Sequence, residues 1–407
     1  MRRIRVLIST GIFPNRILVN RGIYNLKAAA ALAKSCDVRV VAPVPYAPSF
    51  VKRGRYAWCA GVPARDQVAG FSVAYPRYVV TPKVGRSLHG FTLYASVVRF
   101  YERVAREFAP DLILGYFAYP YGFANVLLGR RLGVPAVIFC RGSDIHSIAQ
   151  NRLQGRLISW ALRRARRVFS VSEALKEDVV GLGVPADHVA VIRNGIEVER
   201  HRNLDKRAAR RRLGLALDGG LVVCVSRLGR EKGIDVLVEA AAGMQTAGAR
   251  VVIVGDGPEM TALSGQIARL DVGERVFLAG ARPHDEVPVW MAAADVTVLS
   301  SRKEGHPNAA VESLACGRPV VATRVGGVPE IVTSAALGLM VPPEDSPALA
   351  AALDQSLATT WDTATIEAAG KSRTWDTVAH EMLSEFESIL GRSGPTASAA
   401  SGRGGPP

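Results

Sequence analysis

Two glutamates eight residues apart, Glu304 and Glu312, flank a Gly, a His-Pro and a run of small residues in the stretch "SSRKEGHPNAAVESLACG" (residues 300–317). The apolar run "VTVLSS" that leads into it reads as a strand, so residues 302–306 form the loop leaving that strand. Pro307 suits the first position of a helix, because its fixed φ fits and it needs no N–H partner. Gly317, with Pro319 just beyond, marks where that helix stops. The free amides of such a helix start, together with the positive end of its dipole, suit a phosphate. Carboxylates on either side suit hydroxyls, which donate to them. Sugar hydroxyls, a diphosphate and ribose hydroxyls are the groups that a nucleotide sugar presents in sequence. The plainer alternative is that both acids answer only to the helix dipole.

Cations stand in the right neighbourhood. "SRLGREKG" sets Arg227 and Lys232 directly after another apolar run, "LVVCV". Two cations in one loop would neutralise a diphosphate and support its departure as a leaving group. Standing alone, they would read as a solvated charged loop. "VGDGPE" has a Gly-x-Gly after a strand, which is a weak signal by itself, and "ATRVGGVPE" offers Gly326 and Gly327 as backbone that would face a phosphate.

The elements that must hold these loops alternate along the whole chain. "IRVLIST", "DVRVVAP", "DLILGYF", "PAVIFCRG" and "RRVFSVS" read as strands of one series, separated by helical stretches such as "GIYNLKAAAALAKS". "LVVCVSRL", "ARVVIVGDGP", "RVFLAG", "VTVLSS", "RPVVATRV" and "GLMVPP" read as a second series. Such a rhythm predicts α/β architecture: two Rossmann-like, doubly wound parallel-sheet domains, with the carboxyl ends of their strands facing across a cleft. The charged stretch "AVIRNGIEVERHRNLDKRAARRRLGL" reads as the linker, with the boundary near residues 194–200. The expected division is therefore an acceptor-binding domain over residues 1–195 and a donor-binding domain over 196–375. A last helix over 376–391 would pack back towards the first domain, and the Gly/Ser/Pro/Ala tail over 392–407 would be disordered.

Composition limits the setting. At 407 residues, with 48% hydrophobic and 21% charged residues, the chain suits two soluble domains of ordinary size. No apolar run approaches the roughly 18 to 20 residues of a membrane span, and the start "MRRIRVLISTGIFP" is too briefly apolar for a signal peptide. Five scattered cysteines with no CxxC spacing suit a reducing compartment and offer no zinc site, so the expected location is the cytoplasm. Charge is uneven: residues 1–200 hold 30 Lys and Arg against 12 Asp and Glu, while the remainder holds 21 against 24. A basic first half points to an anionic membrane surface, a phosphorylated lipid or nucleic acid. A general taste of the chain for Arg and Ala is the bland explanation.

"SRLGREKG", "IVGDGP", "EGHPNAAVESLACGRPVVATRVGGVPEIV" and "VIRNGI" together resemble a retaining glycosyltransferase of family 4, with the GT-B fold. The likeness is dense over residues 191–341 and weaker over the first domain. It implies that Glu304 holds the donor sugar's hydroxyls, that Glu312 holds the ribose, and that Arg227 and Lys232 bind the diphosphate. Backbone around Gly305, His306, Pro307 and Asn308 would contact sugar and phosphate. Gly257 of the Gly-x-Gly turn and Arg282, near the expected base contacts, complete the donor side. "FPNRILVNRGIYNL" resembles the family's glycine loop, where Gly22 would let the backbone approach the donor phosphate, although many members have two glycines there. "FCRGSDIHS" resembles a second loop of the family, in which Asp144 or His146 would face the acceptor or the anomeric end of the donor. Asp144 as a helix cap and His146 as a satisfied loop histidine are the alternatives, and His284 and His306 read equally well as ordinary loop residues. The resemblance implies that no divalent metal is needed, consistent with the lack of an obvious DxD after a strand, and no cofactor is expected beyond the nucleotide sugar as donor.

The expected activity is transfer of a hexose from a nucleotide diphosphate sugar, UDP- or GDP-linked, to a hydroxyl of a glycan or lipid-linked acceptor. Polysaccharide assembly at the inner face of the cell membrane is the natural setting. The basic helices would keep the enzyme on anionic lipid, with "YAWCAG" or "GFTLYASVVRFYERV" adding apolar contact. A relative of the same fold that only epimerises or hydrolyses the nucleotide sugar is one rival. A nucleic-acid-binding protein is another, but the chain carries no recognisable reader motif, so nucleic acid is not expected as a partner.

Overall fold

The computed structural model describes residues 2–48, 56–80, 85–149, 151–201 and 205–392. Two sheets organise the chain. The first has eight strands in the order Val189–Val191, Arg167–Ser170, Ala136–Cys140, Leu112–Tyr116, Arg5–Ser9, Asp37–Val41, Phe71–Ala74 and Arg65–Val68. All neighbours run parallel except the last pair, an antiparallel hairpin at the edge. The second has six parallel strands in the order Val276–Gly280, Arg250–Val254, Leu221–Val225, Val296–Leu299, Val320–Thr323 and Gly338–Val341. These strands are β-branched runs buried on both faces, as helices covering both sides of a parallel sheet require.

The strand order decides where a ligand goes. In the second sheet the chain starts in the interior at Leu221–Val225, winds outward one way through Arg250–Val254, then returns to the other side at Val296–Leu299. At such a reversal the two loops leaving neighbouring strands diverge and open a crevice. Those loops are 226–233 and 300–307, which carry the cations and Glu304. The first sheet reverses in the same manner between Arg5–Ser9 and its neighbours Asp37–Val41 and Leu112–Tyr116.

The stretch read as a linker is more structured than that. Val189–Val191 closes the edge of the first sheet, and Lys206–Arg212 forms a short helix on the second domain. Dense charge hid this helix, because Arg210 is almost fully buried, donating to the carbonyls of Ala293, Leu217 and Gly219 and to Asp295. The final helix, Trp375–Ile389, sets Trp375, Val378, Met382 and Phe386 into the first domain's core, with Phe386 stacked 6.0 Å from Phe169. Arg392, at the start of the predicted tail, donates to Asp111, and residues 393–407 lie outside the described residues. Among the described residues no helix is long and apolar enough to cross a membrane.

Candidate active site

A cleft of about 890 Å³ lies between the two sheets. From the second domain it is lined by Arg227, Lys232, Arg282, His284, Ser301, Glu304, His306, Pro307, Asn308 and Glu312, and from the first by residues 17–21, Ile23 and Tyr24.

Glu304 leaves the end of strand Val296–Leu299 and is only 7% exposed. A buried carboxylate needs partners. Lys232 Nζ donates to its Oε1 at 2.7 Å and Ser301 Oγ to the same oxygen at 2.6 Å. The cation and the acid assigned from sequence to neighbouring ligand groups therefore hold each other here. Arg227 is mostly exposed and pairs with Glu231, four residues on. Arg282 lies over the Trp290 ring, 5.6 Å from its centroid.

Helix Asn308–Ala315 starts one residue later than the sequence reading, with Pro307 as the residue before it, and ends before Gly317 at φ +69°. Glu312, one turn in, is 5% exposed and accepts from the Tyr24 hydroxyl at 2.8 Å. Burial pushes the Glu312 carboxyl above its ordinary pKa, and burial together with Glu312 pushes the Tyr24 phenol far up. Asn308 extends a chain across the cleft floor: Arg141 Nη1 donates to Asn194 Oδ1 at 2.9 Å, and Asn194 Nδ2 to Asn308 Oδ1 at 2.7 Å. His306 is crowded by protein, which drives its pKa to about 4 and keeps the imidazole neutral.

Gly305 does not line the cleft. It meets the first domain edge on: a Cβ there would fall 2.7 Å from the Arg141 carbonyl and 3.1 Å from Gly142 Cα. Only glycine permits that approach. Gly326 and Gly327 lie against the carbonyls of Glu304 and Gly305, so they support this loop and do not face the cleft. Gly257 likewise packs on the Leu228 carbonyl beneath the site. Gly22 precedes helix Ile23–Leu32 at φ +70°, and what it admits closely is the Ile12 carbonyl.

Asp144 and His146 depart from the expectation that they face ligand. Asp144 is fully buried: Oδ1 accepts from the amides of Arg141 and Gly142 at 3.0 and 2.9 Å, and Oδ2 from the Ala118 amide at 2.8 Å. Burial still raises its pKa, outweighing the amides that lower it. Both oxygens are spent on main chain, so Asp144 clamps two loops together and is a positioning residue. His146 Nε2 is 2.8 Å from Asp178 Oδ2, on the first domain and away from the cleft lining.

Sequence reading missed Tyr24, Ser301, Arg141 and Asn194. Ser301 had a local signal, three residues before Glu304 at the end of a strand. The others act through partners over fifty residues away in sequence, which no local pattern records.

The comparisons with known proteins agree with this geometry. A family model described as "Glycosyl transferases group 1" matches residues 205–372, and one described as "Glycosyl transferase 4-like domain" matches residues 22–195. The putative teichuronic acid biosynthesis glycosyltransferase TuaC of Bacillus subtilis is 30% identical over 356 residues, covering 86% of this chain and 88% of that protein. A D-inositol 3-phosphate glycosyltransferase of Acidothermus cellulolyticus is 39% identical over 188 residues, 43% of this chain and 42% of that one. Among solved structures, Alr3699/HepE of Anabaena in complex with UDP has a TM-score of 0.72 at 23% identity, with 95% of this chain and all of that chain (100%) covered. Sucrose-phosphate synthase from Thermosynechococcus elongatus has a TM-score of 0.76 at 23% identity, covering 96% and 100%.

Proposed function

The chain belongs to the group 1 glycosyltransferases and has the GT-B fold, and from that premise we propose that it moves a hexose from a nucleotide diphosphate sugar to a hydroxyl of a glycan or lipid-linked acceptor, with retention, in bacterial polysaccharide assembly. The observation that carries the reading is the switch-point crevice in which Lys232 meets Glu304 while Glu312 stands one helical turn further on. Glu304 would accept the sugar hydroxyls, Glu312 the ribose hydroxyls, and Lys232 and Arg227 the diphosphate oxygens.

Transfer breaks the bond from the anomeric carbon to the diphosphate and forms one to the acceptor oxygen on the same face. The leaving diphosphate takes the acceptor's proton, so no side chain needs to act as base. Lys232 and Arg227 would stabilise the charge growing on that leaving group, a role that a preorganised cation fills better than water. Neutral His306 would meet hydroxyls without repelling the cations. No metal is required in this scheme. Peripheral association with an anionic membrane belongs to the same reading: helix His89–Phe108 turns Phe91, Arg99, Arg103 and Arg106 outward, beside exposed Leu88.

Thermal-shift binding across UDP-, GDP-, ADP- and dTDP-sugars, with and without Mg²⁺, tests the proposal on wild type and Glu312→Ala. Because the Anabaena neighbour binds UDP, uridine nucleotides come first. One nucleotide class should raise the melting temperature of wild type regardless of Mg²⁺ and leave the variant unmoved. Stabilisation by none of them defeats the reading.

A further inference from the structure

Among the described residues, four cationic side chains line the cleft: Arg21, Arg227, Lys232 and Arg282. Lys232 is paired with Glu304 and Arg227 with Glu231. Arg282 lies on an indole in the second domain, where the nucleotide is expected. Of these four, Arg21 belongs to the first domain. Its guanidinium sits 5.0 Å above the Trp58 ring, and its Nε donates to the Gly11 carbonyl at 3.3 Å. No carboxylate of the described residues is within ion-pair reach of it, and the segments outside them contain neither Asp nor Glu.

An arginine fixed by stacking and one hydrogen bond keeps the fork of its guanidinium in place for a planar or tetrahedral oxyanion. A half-buried cation without a counter-charge is costly, and the cost falls when a ligand brings the charge. Gly11, to which Arg21 is tied, follows strand Arg5–Ser9 at the carboxyl end of the first sheet. Arg21 is thus held at the first sheet's own reversal point, within the same cleft as Glu304.

We infer that Arg21 reads an oxyanion on the acceptor, a phosphate or a carboxylate close to the hydroxyl that receives the sugar, so that the acceptor is anionic at its reacting end. This inference rests on the cleft being a transferase site. Phosphate and carboxylate share the chemistry; a lipid-linked phosphate and an acidic sugar are its two sources.

The test uses the full chain with farnesyl phosphate, methyl glucuronoside and neutral methyl glucoside as probes. Binding is followed by calorimetry and by Trp58 emission, with Trp58→Phe separating that signal from the other four tryptophans. At least one anionic probe should bind and change Trp58 emission, farnesyl phosphate alone marking a lipid source and methyl glucuronoside alone an acidic sugar. Arg21→Gln should weaken that probe roughly 10- to 100-fold, with Arg21→Lys in between. Methyl glucoside should not distinguish wild type from Arg21→Gln. Equal binding of the anionic probe to wild type and Arg21→Gln, or neutral and anionic probes binding wild type alike, overturns the inference. Retained nucleotide-sugar melting shifts in Arg21→Gln show that the variant is folded. Their absence in wild type would instead defeat the transferase reading.

Discussion

Glu304 and Asp144 are both buried carboxylates at the end of a parallel strand, one on each side of the cleft, at 7% and 0% exposure. They are satisfied in opposite ways. Glu304 takes its hydrogen bonds from side chains, Lys232 and Ser301. Asp144 takes its bonds from the amides of Ala118, Arg141 and Gly142. A side chain can rotate away and give its place to a substrate hydroxyl. A main-chain amide in a packed loop cannot. The second domain therefore keeps an exchangeable carboxylate, while the first uses its carboxylate as scaffolding.

The largest expected effect falls on the exchangeable one. Glu304→Gln keeps the shape, but it removes the charge from Lys232 and replaces one acceptor by a donor. Sugar transfer should fall by about 100- to 1000-fold in kcat/KM, the range for losing one preorganised polar contact in a transition state. Nucleoside diphosphate binding, which does not involve the sugar hydroxyls, should change far less. Radiolabelled or coupled transfer assays read the first, calorimetry with the nucleotide the second. Equal losses in both would make Glu304 a structural partner of Lys232 and dissolve the contrast with Asp144.

Asp144→Asn should show the reverse pattern. Its amide nitrogen would face either the Ala118 N–H or the pair at Arg141 and Gly142, setting donor against donor. Leaving a buried donor unpaired costs about 1–3 kcal/mol for each group. A fall of about 2–4 kcal/mol in unfolding free energy in urea is the expected result. The folded fraction should bind nucleotide sugar as wild type does. A stable variant that has lost transfer would return Asp144 to the ligand-facing role that the sequence suggested.

That contrast also explains what the sequence disclosed. Five strands of the first sheet and all six of the second followed from apolar runs bounded by Pro, Gly and Ser, because a parallel strand buried on both faces needs little else. Arg65–Val68, Phe71–Ala74 and Val189–Val191, at the two ends of the first sheet, did not. The second domain's side of the cleft was legible since its charged residues fall in two short stretches, Arg227 with Lys232 and Glu304 with Glu312, which meet in space. On the first domain "GSD" offered a carboxylate after a strand, as a ligand-facing loop would. Its direction is decided by the amide of Ala118, 26 residues upstream. The tie from Tyr24 to Glu312 spans 288 residues, and buried Arg210 looked like any other arginine in "KRAARRRL". Burial and long-range pairing set these roles, and neither has a local signature.

A third pairing sits between the two extremes, joining the domains to each other. Lys27 of the first domain lies 2.9 Å from His284 Nε2 of the second and 2.9 Å from Glu197. An ammonium can only donate, so Nε2 must keep its lone pair and His284 must stay neutral. Burial, reinforced by the charges of Lys27 and Arg200, holds its pKa down at about 4. In the unfolded chain a histidine takes up its proton near pH 6.5. The folded protein resists protonation at His284 down to about pH 4, so the unfolded state binds more protons across that window. Stability gained from neutral His284 is thus present in full above about pH 6.5 and drains away as the pH falls towards about 4. The ring is partly open to solvent, which limits the slope to about 1 kcal/mol per pH unit or less. His284→Gln keeps an acceptor for Lys27 and does not titrate. Urea midpoints from pH 7 to 4 should decline more gently for this variant than for wild type. Parallel declines would mean that the Lys27 contact adds little, and that the domains are joined without it, through Tyr24–Glu312, Asn194–Asn308, Arg193–Glu330 and the Gly142–Gly305 approach.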